Sequence, residues 1–400
     1  MITDSYLCVT IYRIYIFYTL FSVLISYFCS EFLNPLFVKF LFTVQGEGRG
    51  HFTQALSMAS ILRKNGHEVV AVLVGKSESR QIPEFFSTKI GAPVFRYSSP
   101  NFTSFYKQKR PNVLLSVLGN FAQPFFFRKS ILFLRSKIEE YKPDVIINFY
   151  ELIMGMTFKI YRLEKKTGIK MICVAHHYVL LNPHYKTTRE QDIKYYFLRM
   201  LSKITSQGAS KLLALSFRNM PGSEERNIVT VPPLLRPEVF EIEPSKGDYI
   251  HGYMLNTGYF EEILDWHTKN PQIPLRFFWD KKDADEVTRI DDNFVLYRLN
   301  DERFLRSMAG SMAYSTTSGF ESVCEALYYK KPILMIPVHV EQEFNAFDAA
   351  LSGAGISSKK FKLSKLIDFI PHYSPDENFQ EWVHQAEERF MKEINEVIES

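Results

Sequence analysis

The segment STTSGFESVCEALYYKKPILMIPVHVEQEFNA, residues 315–346, decides the fold and carries most of the functional signal. The small residues Thr317, Ser318 and Gly319 predict a tight turn between an apolar strand and a helix. A helix start offers unpaired backbone N–H groups and the positive end of the helix dipole to a phosphate. Thr317 or Ser318 can cap this helix and still leave N–H groups free. The segment therefore predicts a phosphate site.

Three polar side chains follow the turn at spacings that suit a nucleotide. Glu325 comes about two helical turns on, where its carboxylate can accept both hydroxyls of a ribose, and Gln342 and Asn345 follow the next strand. The alternative is that Glu321 and Glu325, which share a helix face, are solvated and that Ser and Thr are plain caps. Apolar neighbours of Glu325 favour a buried position. We expect loss of Glu325 to weaken nucleotide binding far more than folding.

Outside this segment the chain alternates short apolar strands with helices, as open parallel sheets do. Residues 38–44 form a continuous apolar run that ends at a glycine loop, which is typical of a buried parallel strand. Other strands are predicted at residues 68–74, 94–97, 144–149, 170–175, 211–215, 249–255, 275–279, 293–297, 312–314 and 333–336. The pattern predicts an α/β fold with two tandem Rossmann-like domains that face each other across a cleft.

A proline-rich stretch separates the two halves. Residues 231–237, VPPLLRP, hold three prolines and predict a stiff linker. We expect an N-terminal domain at 38–236, a second domain at 237–375 and a charged C-terminal helix at 376–400.

The first predicted strand ends in the loop QGEGRGH, residues 45–51. Gly46, Gly48 and Gly50 allow a tight turn and a close approach to a ligand. The imidazole of His51 titrates near neutral pH and can take a proton from an acceptor hydroxyl. The alternative is a plain strand-to-helix turn with a capping histidine, because the glycines lack the spacing of the dinucleotide fingerprint.

The glycine loop and the 313–346 segment together resemble the GT-B glycosyltransferases. The pattern is similar to the UDP-glucuronosyltransferase-like enzymes, to the peptidoglycan N-acetylglucosaminyltransferase and to uncharacterised bacterial and archaeal members of that superfamily. Against the peptidoglycan enzyme, Glu47 and Arg49 replace small residues.

The resemblance implies a role for each matching residue. It places the diphosphate at Thr317, Ser318 and Gly319 and the ribose at Glu325. The polar pair near the donor sugar would be Gln342 and Asn345. It makes His51 the catalytic base of the acceptor-side loop, which holds Gly46, Gly48 and Gly50.

Polar residues also end two other strands of the first half. Glu151 follows the strand at 144–149, and His176 and His177 follow the strand at 170–175, so all three are expected to face the cleft. We predict that Glu151 or a histidine, chosen as His177, orients His51 or binds the acceptor. Adjacent side chains point apart, so at most one histidine is expected in the site. The alternative is structural hydrogen bonding at strand ends.

Composition excludes several classes of protein. A net charge of +4 gives no nucleic-acid signal. The four cysteines are scattered and form no metal-ligand pattern, which is typical of a reducing compartment. The letters DKKDAD at 280–285 predict a solvated loop rather than a metal site. We therefore expect neither a metal nor a cofactor, and a cytoplasmic location.

Two segments raise the question of a membrane. Residues 1–37 are apolar and aromatic, and they predict either upstream sequence translated before a start at Val38 or a single N-terminal membrane anchor. Residues 101–137 mix aromatic and basic side chains, which suits peripheral docking at the inner face of the plasma membrane and a lipid-linked acceptor. The alternative is a core helix with a solvated basic face.

These observations predict a glycosyltransferase that moves a sugar from a nucleoside-diphosphate donor, expected to be UDP-linked, to a hydroxyl of a sugar or lipid-linked acceptor. Metal independence, inversion at the anomeric carbon and a role in cell-envelope polysaccharide are expected. The alternatives are a nucleotide-sugar epimerase or hydrolase on the same fold and a non-catalytic nucleotide-sugar binding protein.

Overall fold

Two parallel sheets organise the chain in the computed structural model, which describes residues 37–76, 82–100, 124–187, 192–255, 257–281 and 284–400. Each sheet has seven strands, and each places its earliest strand in the middle with later strands on both sides. This is the strand order of a doubly wound dinucleotide-type fold.

The first sheet is entirely parallel, in the order β3-β2-β1-β4-β5-β6-β7. Its strands are β1 (Lys39–Gln45), β2 (Glu68–Lys76), β3 (Val94–Ser98), β4 (Val145–Phe149), β5 (Lys170–Ala175), β6 (Lys211–Leu215) and β7 (Ile228–Val231). Its helices are α1 (Gly50–Lys64), α2 (Glu84–Lys89), α3 (Pro124–Tyr141), α4 (Leu152–Tyr161), α5 (Leu163–Thr167) and α6 (Ile193–Thr205). A 3-10 turn at His176–Leu181 follows β5.

The second sheet has the order β10-β11-β9-β8-β12-β13-β14 and is parallel except for the edge strand β10. Its strands are β8 (Ile250–Met254), β9 (Leu275–Trp279), β10 (Val287–Arg289), β11 (Phe294–Arg298), β12 (Ala313–Thr316), β13 (Ile333–Met335) and β14 (Gly355–Ser357). Its helices are α7 (Phe260–Lys269), α8 (Asp301–Ala309), α9 (Phe320–Tyr328), α10 (Val340–Leu351) and α11 (Leu363–Phe369).

The continuous apolar runs lie where the sequence predicts them, in strands covered on both faces. In β1, the residues Leu41, Phe42 and Val44 are completely buried between helices of the two layers. The same holds for Phe277 and Phe278 of β9. The predicted α/β fold of two Rossmann-like domains is confirmed.

The sequence missed three strands. β7 ends at Val231, the first residue of the proline-rich stretch, and β10 and β14 are only three residues long. Each is an edge strand of its sheet, and each is short, so its sequence carries little pattern to recognise.

The C-terminal segment consists of two helices, α12 (Asn378–His384) and α13 (Ala386–Glu399), rather than one. They pack back against the first sheet. Trp382 donates its indole N–H to the Ser216 carbonyl at 2.9 Å, and Lys211 pairs with Glu393 at 2.6 Å. The C-terminus therefore belongs structurally to the first domain.

Two predictions concern residues that the structure does not describe. The segment at 1–37 lies outside the described residues except for its last position, and so does 101–123 of the basic and aromatic segment. In the part of the chain that is described, helices of the length and apolarity needed to span a bilayer are not found.

Candidate functional site

The site lies between the two sheets, at the carboxyl ends of their central strands. The loop after β1 and the turn after β12 stand at the points where the strand order reverses, which is where open α/β sheets bind ligands. Together they line a cavity of about 210 Å³, to which both domains contribute, including Gly48, His51, Gly319 and Glu325.

The turn in front of α9 is built for an anion. Its N-cap residue is Gly319, and no side chain caps the helix, so the expectation that Thr317 or Ser318 would do so is wrong. Ser318 has φ of +65°, a left-handed conformation that L-residues rarely adopt. Its hydroxyl and that of Thr317 are buried and have no hydrogen-bond partner among the described residues. Thr317 and Gly319 line the cavity, whereas Ser318 is not among its lining residues, so the uncapped N–H groups and the Thr317 hydroxyl are available to one ligand.

Glu325 is only 3% exposed and already has a partner. Its Oε1 accepts from Nε of Arg236 at 2.7 Å and its Oε2 from Nη2 at 3.1 Å. Arg236 also lies 3.5 Å from Asp301 Oδ1 and, like Glu325, lines the cavity. Since each carboxylate oxygen can accept more than one hydrogen bond, this pair fixes the orientation of Glu325 and leaves lone pairs for a ligand.

Gln342 and Asn345 lie on the first two turns of α10 and line the same cavity. Gln342 Oε1 accepts from the Val338 N–H at 2.9 Å, and Asn345 Nδ2 donates to the Ser318 carbonyl at 3.2 Å. The Asn345 Oδ1 is buried and, among the described residues, unpartnered. Asn345 thus holds the strained Ser318 turn and keeps an acceptor for a ligand.

His51 lies in the first turn of α1, not in front of it as the sequence suggested. It does not cap the helix, whose N-cap is Arg49. Its Nδ1 lies 3.2 Å from Gln54 Oε1, and burial lowers its pKa to about 4. The imidazole is therefore neutral at pH 7, as a general base must be.

Two glycines of the loop are required by close approach. A Cβ at Gly46 would lie 2.9 Å from the Gly75 carbonyl of β2, and one at Gly50 would lie 2.0 Å from Oε2 of Glu321. A Cβ at Gly48 would meet nothing within 4 Å. Gly46 thus fits the loop to its own sheet, and Gly50 lets the second domain approach α1.

Both histidines after β5 line the cavity, so the prediction that at most one would is wrong. The 3-10 turn at His176–Leu181 turns the chain before the second side chain can point away. His176 stacks between Phe320 and Phe344, with ring centroids 4.2 and 4.7 Å away. His177 stacks on Tyr150 at 4.3 Å.

His177 also meets the second domain. Its Nε2 lies 3.5 Å from Glu341 Oε1, and burial, with the neighbouring histidines, holds its pKa well below the ordinary value. The predicted choice of His177 as an acceptor-side residue stays a prediction, and Glu341 is its counterpart across the cleft.

Glu151 does not line the cavity, contrary to the prediction that it faces the cleft. It is the N-cap of α4, where Oε2 accepts from the Met154 N–H at 2.7 Å and Oε1 accepts from the Ser99 hydroxyl at 2.6 Å. Burial raises its pKa. These bonds commit both oxygens to the protein, so Glu151 is a structural cap and does not orient His51.

Sequence reasoning gave no role in the site to six polar residues that surround His51 and Glu325. They are Gln54, Arg236, Asp301, Glu321, His339 and Glu341, all of which line the cavity. Burial raises the pKa of Glu321 and of Glu341 to about 7. One signal was available, since Gln54 follows His51 by three residues and so shares its helix face.

The model of glycosyl transferase family 1 matches residues 38–373. The chain belongs to this family. The predicted resemblance to the GT-B glycosyltransferases is thereby confirmed, and the protein is a glycosyltransferase. No curated protein matches the sequence.

Solved structures of glycosyltransferases share the fold of this family 1 member. The glycotransferase of kitacinnamycin has a TM-score of 0.63 at 16% identity, over 91% of this chain and 100% of its own. The calicheamicin glycosyltransferase CalG4 has 0.62 at 14% identity, over 91% and 98%. UGT89C1 of Arabidopsis thaliana, complexed with UDP, has 0.59 at 15% identity, over 90% and 98%.

Proposed function

We propose that this glycosyltransferase takes its sugar from a nucleoside-diphosphate donor, with UDP as the nucleotide, and transfers it to a hydroxyl group. The observation that carries the proposal is the uncapped start of α9. Gly319 at its N-cap and Thr317 line the cavity, and the buried hydroxyls of Thr317 and of the adjacent Ser318 have no partner among the described residues. Partial positive charge and hydroxyl donors at one point suit a diphosphate.

The nucleotide assignment draws support from the fold relatives. UGT89C1 has been solved with UDP and with UDP-L-rhamnose, and Phytolacca americana UGT2 with UDP-2fluoro-glucose and pterostilbene. In our proposal Glu325, held by Arg236, accepts the ribose hydroxyls, and Gln342 and Asn345 contact the donor sugar.

The proposed chemistry is a single displacement at the anomeric carbon. His51 Nε2 takes the proton of the acceptor hydroxyl while the hydroxyl oxygen bonds to the anomeric carbon. The bond from that carbon to the diphosphate breaks, and the electron pair leaves with the diphosphate. The configuration inverts. Backbone N–H groups at the start of α9 stabilise the developing negative charge, so the proposal requires no metal ion.

A screen of folded-state stabilisation tests the donor. UDP-, GDP- and TDP-sugars are each added during thermal unfolding. A ligand at 100 times its dissociation constant adds about 2.7 kcal/mol to the stability of the folded state. We expect UDP-sugars to stabilise the protein and a Thr317→Val/Ser318→Ala variant to lose most of that effect. Equal stabilisation of this variant and the wild type would contradict the assigned phosphate site.

Product analysis then separates transfer from its alternatives. Incubation with a labelled UDP-sugar and a panel of hydroxyl acceptors is expected to give a labelled glycoside. Release of free sugar or of an epimerised donor without any acceptor would indicate a hydrolase or an epimerase. Binding without any turnover would indicate a non-catalytic binding protein.

We further propose a cytoplasmic protein that acts on a sugar or lipid-linked acceptor of cell-envelope polysaccharide at the membrane surface. The support is α3, whose exposed positions include Arg128 and Lys129 near Leu132, which is 46% exposed. Basic side chains with an exposed apolar residue suit an anionic bilayer. Co-sedimentation with phosphatidylglycerol vesicles, and its loss in the Arg128→Glu/Lys129→Glu variant, tests this docking.

A further inference from the structure

A chain of hydrogen bonds connects the proposed base to the opposite domain. His51 Nδ1 lies 3.2 Å from Oε1 of Gln54 on the same helix. Gln54 is 2% exposed, and its Nε2 donates to Oε1 of Glu321, in the first turn of α9. This series of hydrogen bonds therefore starts in the first domain and ends on the helix proposed to hold the donor diphosphate.

The side-chain amide of Gln54 can fix the orientation of its neighbours because one end donates hydrogen bonds and the other end accepts them. An ionised carboxylate only accepts hydrogen bonds, so Glu321 requires the NH₂ end of the amide to face it. The carbonyl end then faces His51, and that contact is a hydrogen bond only if Nδ1 carries the proton. Nε2 is left without a proton and free to accept one. A reversed amide would set its oxygen against the Glu321 carboxylate.

The approach of Glu321 is built into the first-domain loop. A Cβ at Gly50 would lie 2.0 Å from Glu321 Oε2, so the glycine leaves room for the carboxylate in its present position. Beside this contact, Arg49 Nη2 donates to both oxygens of Asp301 at 3.1 Å. Glu321 thus reaches Gln54 in the arrangement in which the two domains meet.

We propose that Gln54 and Glu321 are positioning residues: Glu321 fixes the amide of Gln54, and Gln54 holds His51 in the Nδ1–H tautomer that leaves Nε2 free as the base. The base is therefore set by a residue of the donor-binding helix, across the contact between the two domains. This inference rests on the proposed function of His51. Gln54 takes the role of orienting His51 that the sequence suggested for Glu151, whose carboxylate oxygens accept from Ser99 and Met154.

The tautomer can be measured without any substrate. Protein with ¹⁵N-labelled histidine is examined by NMR at pH 8.5, above the pKa of Glu321, which burial raises to about 7. The His51 signals are assigned by their loss in His51→Ala. We expect Nδ1 protonated and Nε2 unprotonated in the wild type, and a mixture of tautomers in Gln54→Leu and Glu321→Leu.

Kinetics supply the second readout. Gln54→Leu is expected to lower kcat at least about tenfold, a part of the 10² to 10⁴ that a general base contributes, with the KM for the donor unchanged. Ser57→Ala is the matched control, since Ser57 is a buried polar residue of α1 that bonds the Leu235 carbonyl at 3.0 Å and does not contact His51. We expect its kcat and tautomer to equal those of the wild type.

A swap keeps the test independent of folding defects. Gln54→Glu alone sets two carboxylates against each other and should impair kcat. Gln54→Glu combined with Glu321→Gln restores an acceptor for His51 Nδ1 and a donor between the helices, and it should recover most of the activity.

The proposal is overturned if Gln54→Leu keeps a pure Nδ1–H tautomer, or if its kcat stays within twofold of Ser57→Ala. Failure of the swap to improve on Gln54→Glu would count equally against it. If the wild type itself transfers no sugar, the proposed function fails, and the NMR result still decides whether Gln54 sets the tautomer.

Discussion

Truncation of Glu325 should cost folding stability as well as nucleotide affinity, contrary to the expectation from sequence, because Glu325 forms a buried ion pair with Arg236. The side chains are 4% and 12% exposed and share two hydrogen bonds of 2.7 and 3.1 Å. Removal of one partner from a buried pair strands the other charge, which costs about 3–5 kcal/mol. Asp301 remains 3.5 Å from Arg236 in Glu325→Ala, so we expect the lower end, about 3 kcal/mol.

The assay is a double-mutant cycle of Glu325→Ala, Arg236→Met and their combination. Urea unfolding is followed by tryptophan fluorescence. Trp266 and Trp279 lie in the second domain and Trp382 packs on the first sheet, so two of the three tryptophans report on the domain that holds Glu325. We expect each single variant to lose about 3 kcal/mol and the double variant to lose clearly less than the sum, with a coupling of about 2 kcal/mol.

Calorimetry with UDP separates the two roles of Glu325. Loss of a ribose contact should raise the dissociation constant at least about tenfold, or 1.4 kcal/mol. A coupling energy below about 0.5 kcal/mol would refute the ion-pair argument, because independent sites also deviate from additivity by that much. An unchanged UDP dissociation constant in folded Glu325→Ala would refute the ribose role.

Three further perturbations have defined outcomes. Burial lowers the pKa of His51 to about 4, so kcat/KM should persist at pH 5 and fall only as His51 takes a proton near pH 4; an inflection near 6.5 in the pH–rate profile would contradict its assignment as base. Ser318→Ala removes a buried, unpartnered hydroxyl and keeps the positive φ, so calorimetry should show weaker UDP binding while the unfolding free energy is unchanged or higher; unchanged affinity would remove Ser318 from the phosphate site. Burial raises the pKa of Glu341 to about 7 from 4.5, so ionisation favours the unfolded chain as pH rises through that window; thermal unfolding should therefore find Glu341→Gln more stable than the wild type at pH 8.5 and closer to it at pH 5.

The fold was predictable because each buried strand is marked by a pattern within its own few residues. A run such as β1 is apolar at every position, and that pattern appears only where both faces of a parallel sheet are covered. Two of the three strands that escaped prediction, β10 and β14, are three residues long and lie at sheet edges, where no such pattern is required. The break of the C-terminal segment at Gln385 has no glycine or proline to mark it.

The site was predictable only in part, since its parts come from distant elements. The turn at Thr317, Ser318 and Gly319 was predictable because small residues between an apolar strand and a helix indicate a tight turn. The partner of Glu325 was not, because Arg236 lies 89 positions away in a linker that sequence treats as a spacer. Glu151 was wrongly predicted to face the cleft, because a residue that follows a strand can also be the N-cap of the next helix.

Two kinds of contact join the domains, and their strengths differ. Around His176 the contact is aromatic: Phe320 and Phe344 stack on its two faces and Phe217 packs on Phe320 at 4.8 Å. Such pairs contribute about 0.5–1.5 kcal/mol each beyond the area they bury. At the cavity mouth the contact is ionic and partly exposed, as between Arg49 and Asp301 with 34% and 29% exposure, and such pairs contribute about 0–1 kcal/mol.

The aromatic and the ionic contacts between the domains differ in strength. The aromatic contact around His176 is the stronger one, and the Arg49–Asp301 pair costs little to separate. Gln54, whose contact with Glu321 completes the His51 arrangement, is only 2% exposed, so that contact is largely shielded from water. A tautomer that depends on Glu321 ties the readiness of the base to the contact between the donor-binding helix and α1.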